Sequence, residues 1–351
     1  RDRSPSRGLG DVYKRQLPRD PKAKIMAQVI QDLKDAFSVL PATSSQTGRA
    51  NKWAAKALLA RVYLYNEMWE EAEKAAEEVM KSQKYSLFPD YRNLFSRDHE
   101  NNQEVIFDVQ YLYPTFVHSG DGLDVILRQF NTIAPTLDLV KSYDMKDGSS
   151  YTDGKDLYTD RDPRFYATIV YPGATYMGQI VTNDKFINTG YTFKKYSRYD
   201  TAAAAIDDKN DINIILMRYA DILMIYAEAR NERLDKPDQP IYDAINEVRN
   251  RPSVKMPLFD KTKDNFTKEQ MRERIRHERR IEFAGEGWYY NDIRRWKIAK
   301  KLMNGSTVQK YDGSIIERRI FNDKNYLFPL PQQEVCLLYT SPSPRDGLLS
   351  R

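Results

Sequence analysis

The sequence predicts a mainly α-helical protein, built from tetratricopeptide-like helical hairpins that are interrupted by a loop-rich, short-stranded insertion. Three observations lead there. Apolar residues recur at helical spacing from Asp20 to Ser82 and again from Met217 to Met303. Small residues at Ala60, Ala72 and Ala76, with Tyr63 three positions after Ala60, match a helix-turn-helix repeat. Between the helical stretches, from Tyr111 to Asp211, that periodicity is lost and Gly, Pro, Asn and Asp punctuate short aromatic runs.

Taken in order, Ile25, Val29, Leu33 and Phe37 mark one amphipathic helix across Asp20 to Val39, and Pro41 to Gly48 is a polar connector. Asn51 to Ser82 forms the hairpin, with its turn at Asn66-Glu67 and Trp69 opening the second helix. Small residues let the two helices approach closely, and Tyr63 fills the space between them. Glu104 to Val109 reads as a strand. Asp138 to Tyr143 suggests a brief helix, and Phe165 to Tyr171 a strand closed by Pro172-Gly173. Met217 to Arg233 and Pro240 to Asn250 are paired helices. Thr267 caps the next helix, with Gln270 completing a capping box.

That last helix leads into Met271 to Trp296, the most informative stretch. Met271, Ile275, Glu278 and Glu282 share one face, so two carboxylates interrupt an apolar stripe. After Gly285-Glu286-Gly287 a second helix is expected, with Tyr289, Ile293, Trp296, Ala299 and Met303 at helical spacing. Its Arg294 and Arg295 are the expected partners of the two glutamates, because buried charges need counter-charges. A structural ion-pair network is preferred over a catalytic carboxylate pair, since such networks commonly occur without catalysis.

The ends read differently. Residues 6–16 are SRGLGDVYKRQ and residues 336–346 are CLLYTSPSPRD. GATGTGTATAAGAGACAG encodes Asp11 to Gln16, and its reverse complement encodes Cys-Leu-Leu-Tyr-Thr. One oligonucleotide read in opposite senses accounts for both, and it is similar to a sequencing-library transposon adapter. Residues 1–16 and 336–351 are therefore expected to be adapter-derived and are set aside. They carry seven of the 55 basic and three of the 50 acidic residues, which leaves 48 and 47, a net of +1. The basic pI of 8.9 then gives no support for a nucleic-acid partner. The single cysteine, Cys336, goes with the ends. No apolar run reaches membrane-spanning length.

ERRIEFAGEGWYYNDIRRW resembles the carboxy-terminal signature of the SusD/RagB family. GRANKWAAKALLARVYLYNEMWEEAEKAAEEVMKSQKYSLFPDYRNLFSRDHENNQEVIFDVQY is similar to that family's repeat-containing core. DPRFYATIVYPG, MRYADILMIYAEARNE, AINEVRNR and YLFPLPQQEV follow in the expected order. The resemblance implies a tetratricopeptide-like helical part at residues 17–110, a variable aromatic-rich insertion at 111–211 and a carboxy-terminal helical part at 212–335. It further implies a surface glycan-binding lipoprotein of Bacteroidetes on the extracellular face of the outer membrane. Such a protein captures oligosaccharides, or another nutrient, as a lid over a SusC-like TonB-dependent transporter. The lipid-bearing cysteine and amino-terminal helices of that family are missing from this sequence, so a ligand site is expected to be incomplete. The family has no fixed sugar-binding motif, so no site residue is carried over.

The site must therefore be sought in the residues themselves. Sugars present apolar C–H faces for aromatic rings and hydroxyls for amides and charges. Tyr111, Tyr113 and Phe116, followed by Asp121, Arg128, Gln129 and Asn131, match that chemistry on an insertion, and Tyr171 and Tyr176 are expected to add a second wall. No cofactor or metal is expected. The run Asp207-Asp208-Lys209-Asn210-Asp211 lacks the glycine and distal glutamate of an EF-hand loop and reads as a solvated loop. The three histidines are scattered, no nucleophile motif occurs, and an enzyme is not expected. A helical-repeat scaffold for a protein partner is the alternative, followed by a glycoside hydrolase using Glu278 and Glu282.

Overall fold

A computed structural model describes residues 20–117, 131–197 and 210–329. Within them the chain is mainly helical, with four separate two-stranded antiparallel sheets.

The first helix, α1 (Lys22–Val39), leans on the hairpin through Leu33 and through Phe37, whose ring meets Trp53 edge-on at 5.7 Å. Ile25 remains exposed, because the apolar side of α1 is turned towards Ile30 and Leu33. The hairpin itself is α2 (Lys52–Tyr65) and α3 (Trp69–Lys81). Asn51 starts α2 by accepting from the backbone N–H groups of Trp53 and Ala54 at 2.9 and 3.0 Å. Glu67 makes the turn in the left-handed region at φ 59°. Ala60, Ala72 and Ala76 are fully buried, as the close approach requires.

Helix α6 (Tyr219–Arg233), following α4 (Leu137–Ser142) and α5 (Pro163–Thr168), is the centre of the main core. It is buried nearly all round, with Asp221 and Glu228 among its buried residues, so it is covered on every side. The hairpin covers one side, and α7 (Gln239–Arg249) and α9 (Lys268–Glu282) cover the others, with the short α8 (Lys261–Asp264) between them. Thr267 and Gln270 form the capping box that opens α9. Leu223→Ala would leave a cavity at this fully buried point, with an expected loss of about 2–5 kcal/mol of stability in denaturant unfolding.

A two-stranded ribbon stitches the two helical parts together. Strand β1 (Val105–Val109) pairs antiparallel with β6 (Ile214–Arg218), Val105 facing Arg218. Met217 therefore lies within a strand rather than beginning a helix. The insertion between them holds β2 (Ile169–Val170), which pairs with β5 (Thr192–Phe193), and the hairpin β3 (Thr175–Tyr176) and β4 (Gln179–Ile180).

Two expectations need correction. Phe165 to Thr168 is helix, not strand, because Asp162 accepts from the Arg164 N–H at 2.9 Å and Pro163 fits the first helical turn. The helix expected after Gly287 is two short ones, α10 (Tyr289–Arg295) and α11 (Ala299–Met303), broken where Lys297 adopts φ 59°. The chain then forms the ribbon β7 (Thr307–Gln309) and β8 (Ile315–Arg318). Among the described residues no helix is long and apolar enough to cross a membrane.

Candidate functional site

The carboxylates of Glu278 and Glu282 lie one turn apart on α9 and are almost wholly buried. Their partners come from far along the chain. Arg164 reaches both, at 2.5 and 3.0 Å, Arg249 takes the other oxygen of Glu278 at 2.7 Å, and Arg218 and Arg251 take Glu282 at 2.7 and 2.8 Å. Glu104 joins through Arg218 and Arg251, Asp162 through Arg164, and Glu286 through Arg218 and Lys195. Five carboxylates meet five cations, so the lattice is electrically balanced.

Burial alone would raise Glu278, but Arg164 and Arg249 outweigh it and hold the carboxyl below its usual range. Burial likewise opposes ionisation of Glu282, and Arg251, Arg218 and Arg164 hold it well below. Burial pushes the Lys195 amine down to about 8 against the pull of Glu286. Neither Glu278 nor Glu282 is available as a protonated general acid near neutral pH, so this pair is structural.

Arg294 and Arg295 do not pair with these glutamates. Gly285 and Gly287, both at φ 81°, redirect the chain before α10. Arg295 instead holds Glu228 at 2.6 Å and Asp292 at 2.8 Å, beside an Arg61–Asp221–Arg279 cluster. Arg294 donates to the Tyr326 carbonyl and stacks 4.1 Å from the Phe328 ring.

The depressed carboxylates predict an acid-labile fold. Burial opposes Asp221, yet Arg61 and Arg279 bring it down to about 2, and Glu228 and Glu286 are also lowered by their cations. A carboxylate lowered in the folded state contributes stability fully above its unfolded value, about 4, and loses it as pH falls through the folded value. Thermal midpoints measured against pH should be flat above about 5 and fall steeply from about 4 to 2. A plateau down to the lowest pH would contradict this lattice.

The aromatic candidates occupy a different surface. Beyond β1 the chain turns back at Leu112 and Phe116, which exchange backbone hydrogen bonds of 2.6 and 2.8 Å. This small loop presents Leu112, Tyr113 and Phe116, which are 63, 57 and 66 % exposed, with Tyr111 half-buried at its base. Apolar side chains that open to water, next to each other, are the exception worth explaining. The ledge is fixed from behind. The Tyr111 N–H donates to Asn213 at 2.7 Å and the Tyr113 N–H to Asp211 at 3.1 Å, while Asp211 is paired with Arg97 at 2.9 Å. Asp211 is a buried anchor of the ledge and Asn210 is buried next to it, so neither is part of a solvated loop. Residues 207–209 lie outside the described residues.

A polar groove runs along β1, the strand that leads into it. Gln110 donates to Asn101 at 2.9 Å and to Asp108 at 2.5 Å. The loop of residues 43–49 packs on Gln110 through Gly48, and the shallow groove there, about 170 Å³, is lined by Thr43, Ser44, Gln46, Asn51 and Asn101 among others. This wall escaped the sequence reading, where residues 41–48 looked like a plain connector. Gly48 was the available signal. It sits at φ 81°, and a Cβ added there would lie 2.4 Å from Cγ of Gln110. Gly48→Ala should cost about 1–2 kcal/mol from backbone strain and displace this wall. Weaker ligand binding with a modestly lower thermal midpoint is the expected result, and unchanged values for both would contradict it.

The remaining candidates divide. Asn131 is buried and donates to the Tyr191 carbonyl at 3.0 Å, so it braces the insertion. Tyr171 stacks on Tyr158 at 4.5 Å within a cluster that includes Phe165, and Tyr176 is buried with Val170, Val181 and Phe186. The Pro172-Gly173 turn therefore tucks its tyrosines inwards and Tyr176 offers no wall. Asp121, Arg128 and Gln129 lie outside the described residues. Among the described residues no three His, Cys, Asp or Glu side chains gather as a metal site.

Comparison with known proteins fits this geometry. The SusD family profile matches residues 76–338, and a second profile, described as starch-binding associating with outer membrane, matches residues 15–64. A SusD-like protein P2 from Formosa agariphila is 26 % identical over 341 residues, covering 91 % of this chain and 64 % of the relative. A SusD-like protein from Bacteroides ovatus is 27 % identical over 322 residues, covering 82 % of this chain and 54 % of the relative. The chain thus spans between half and two thirds of these relatives. Among solved structures, a SusD-like carbohydrate binding protein from Bacteroides fragilis superposes with a TM-score of 0.83 at 27 % identity, covering 94 % of this chain and 72 % of the other. A second SusD-like protein from that organism gives 0.77 at 30 % identity, covering 91 and 70 %.

Proposed function

Because the chain belongs to the SusD family, we propose that it binds oligosaccharides at the cell surface without cleaving them, for import through a SusC-like TonB-dependent transporter. The observation that carries this reading is the fixed, exposed ledge of Tyr113 and Phe116, with a groove of amides and hydroxyls along the strand that leads into it. Rings stack on the C–H faces of a sugar, and the groove supplies directional hydrogen bonds to its hydroxyls. A ledge held by buried anchors loses little entropy on binding. On this reading the full-length protein sits on the extracellular face of the outer membrane, held there by a lipid. The outer-membrane description of the profile over residues 15–64 supports that location.

A helical-repeat scaffold for a protein partner remains the second reading, favoured by the exposed apolar side chains Ile315, Ile320, Leu327 and Phe328 near the carboxy-terminal ribbon. The two are separated by screening the protein against an oligosaccharide array and analysing the recovered sugars by chromatography. Saturable binding with intact sugars is the expected result. No binding to any saccharide would overturn the proposal, and shortened products would overturn its non-catalytic part.

A further inference from the structure

Away from the ledge, a groove of about 620 Å³ opens between α4, the end of α9, α10, α11 and β7. Asp138, Lys141, Arg280, Tyr289, Tyr290 and Arg319 give it its character. Tyr290 is 40 % exposed, and its ring is braced by Phe328 at 6.2 Å and by the Arg294 guanidinium at 5.1 Å. Tyr289 lies under the Arg280 guanidinium at 4.7 Å, so Tyr290 is the ring that faces an incoming ligand. Gln309 and Ser306 add an amide and a hydroxyl.

The charges are uneven. Among the described residues, three cations line the groove against one carboxylate. Arg280 meets Asp138 through one terminal nitrogen, and its buried Nε has no hydrogen-bond partner among the described residues. Arg319 comes no nearer than 3.7 Å to Glu317, too long for a hydrogen bond, and remains open to solvent. Lys141 is paired with Asp153, which is itself 79 % exposed. Residues 289–328, which supply most of the groove, hold nine basic and four acidic side chains, a net of +5, while residues 17–335 as a whole hold only +1. This segment carries the chain's basic excess, and Arg319 is its member that lines the groove. A guanidinium offers a fork of parallel N–H donors that suits a two-oxygen anion, whereas a neutral sugar needs no such cluster.

We propose that this groove is a second saccharide site, distinct from the ledge and selective for acidic oligosaccharides carrying carboxylate or sulfate-ester groups. It rests on the carbohydrate-binding reading and adds a ligand class to it. The anionic group would lie across Arg280 and Arg319 with the sugar ring on Tyr290, and Asp138 would yield Arg280 to it.

Calorimetric titration of the whole chain with three probes of matched length tests this: an oligogalacturonide, a sulfated galactan oligosaccharide and a neutral galactan oligosaccharide. An acidic probe should bind, with affinity falling as salt is raised. Arg319→Gln and Tyr290→Ala should each weaken that binding by about tenfold. Both side chains are partly exposed, and an unchanged thermal midpoint will confirm that the variants are folded. Lys236→Gln removes an exposed charge elsewhere and should leave the affinity unchanged. The stronger of the two acidic probes identifies carboxylate or sulfate as the group recognised. Acidic binding that survives Arg319→Gln and Tyr290→Ala, or that falls equally with Lys236→Gln, overturns the groove while neutral binding keeps the ledge reading intact. Failure of both acidic probes to bind overturns the groove whatever the neutral probe does, whereas the ledge reading falls only if no saccharide of the array binds.

Discussion

Glu282→Ala should destabilise the fold by roughly 3–5 kcal/mol, more than any surface change. Its carboxylate is the shared counter-charge of Arg164, Arg218 and Arg251, all buried. Removing it leaves three guanidinium groups around a cavity that holds no anion. The damage should also spread. Arg218 ends β6, Arg251 follows α7, and Arg164 sits in α5, so one residue ties the ribbon, the carboxy-terminal helices and the insertion together. Denaturant unfolding of the parent and variant measures the effect. Lys300→Ala, which breaks only an exposed pair with Asp323, should leave the midpoint where it was. A Glu282→Ala midpoint equal to that of Lys300→Ala would show that the lattice does not hold the fold.

The second large effect is on binding. Replacing both Tyr113 and Phe116 by alanine should weaken the best oligosaccharide by roughly 2 kcal/mol or more, about 30-fold in Kd. Both rings already face solvent, so the folded state loses little with them, and the thermal midpoint should stay close to that of the parent. That separation of binding from stability marks a ligand surface and distinguishes it from core packing. Asp211→Ala supplies a contrast, because it removes the acceptor behind the Tyr113 N–H and the partner of Arg97. It should weaken binding and stability together.

What the sequence revealed and what it hid follow a physical division. Local chemistry was legible. The Thr267–Gln270 capping box depends on residues three apart, and the alanines at 60, 72 and 76 encode a close helix approach within one hairpin. The buried glutamates of α9 were legible too, because a charge on an apolar stripe demands a partner. The identity of that partner was not. Arg164 meets Glu278 across 114 positions and Arg218 meets Glu282 across 64, whereas the nearby Arg294 and Arg295 are turned away by the Gly285 and Gly287 break. Asp162-Pro163 carried a helix-start signal that the aromatic run after it concealed.

At the candidate site the same division holds. The alternation of Tyr111, Tyr113 and Phe116 drew attention to a surface, but composition does not say which way a ring points. Tyr176 and Asn131 share the chemistry of sugar-binding residues and are buried, one against Val181 and Phe186, the other on the Tyr191 carbonyl. The polar wall of residues 43–49 meets the segment before the ledge through the packing of Gly48 on Gln110, a contact between segments about 60 positions apart. The groove at Tyr290 is likewise assembled from α4, α9 and the carboxy-terminal ribbon, so no single stretch announces it.

The most direct test of the central claim is amide hydrogen exchange of the whole chain with and without a saturating oligosaccharide chosen from the array, followed by chromatography of the recovered sugar. Slower exchange at residues 110–116 and in the 43–49 loop, with the sugar returned intact, is the result predicted by binding at the ledge. Unchanged exchange in both segments despite saturation, or a sugar returned in shorter pieces, would contradict it.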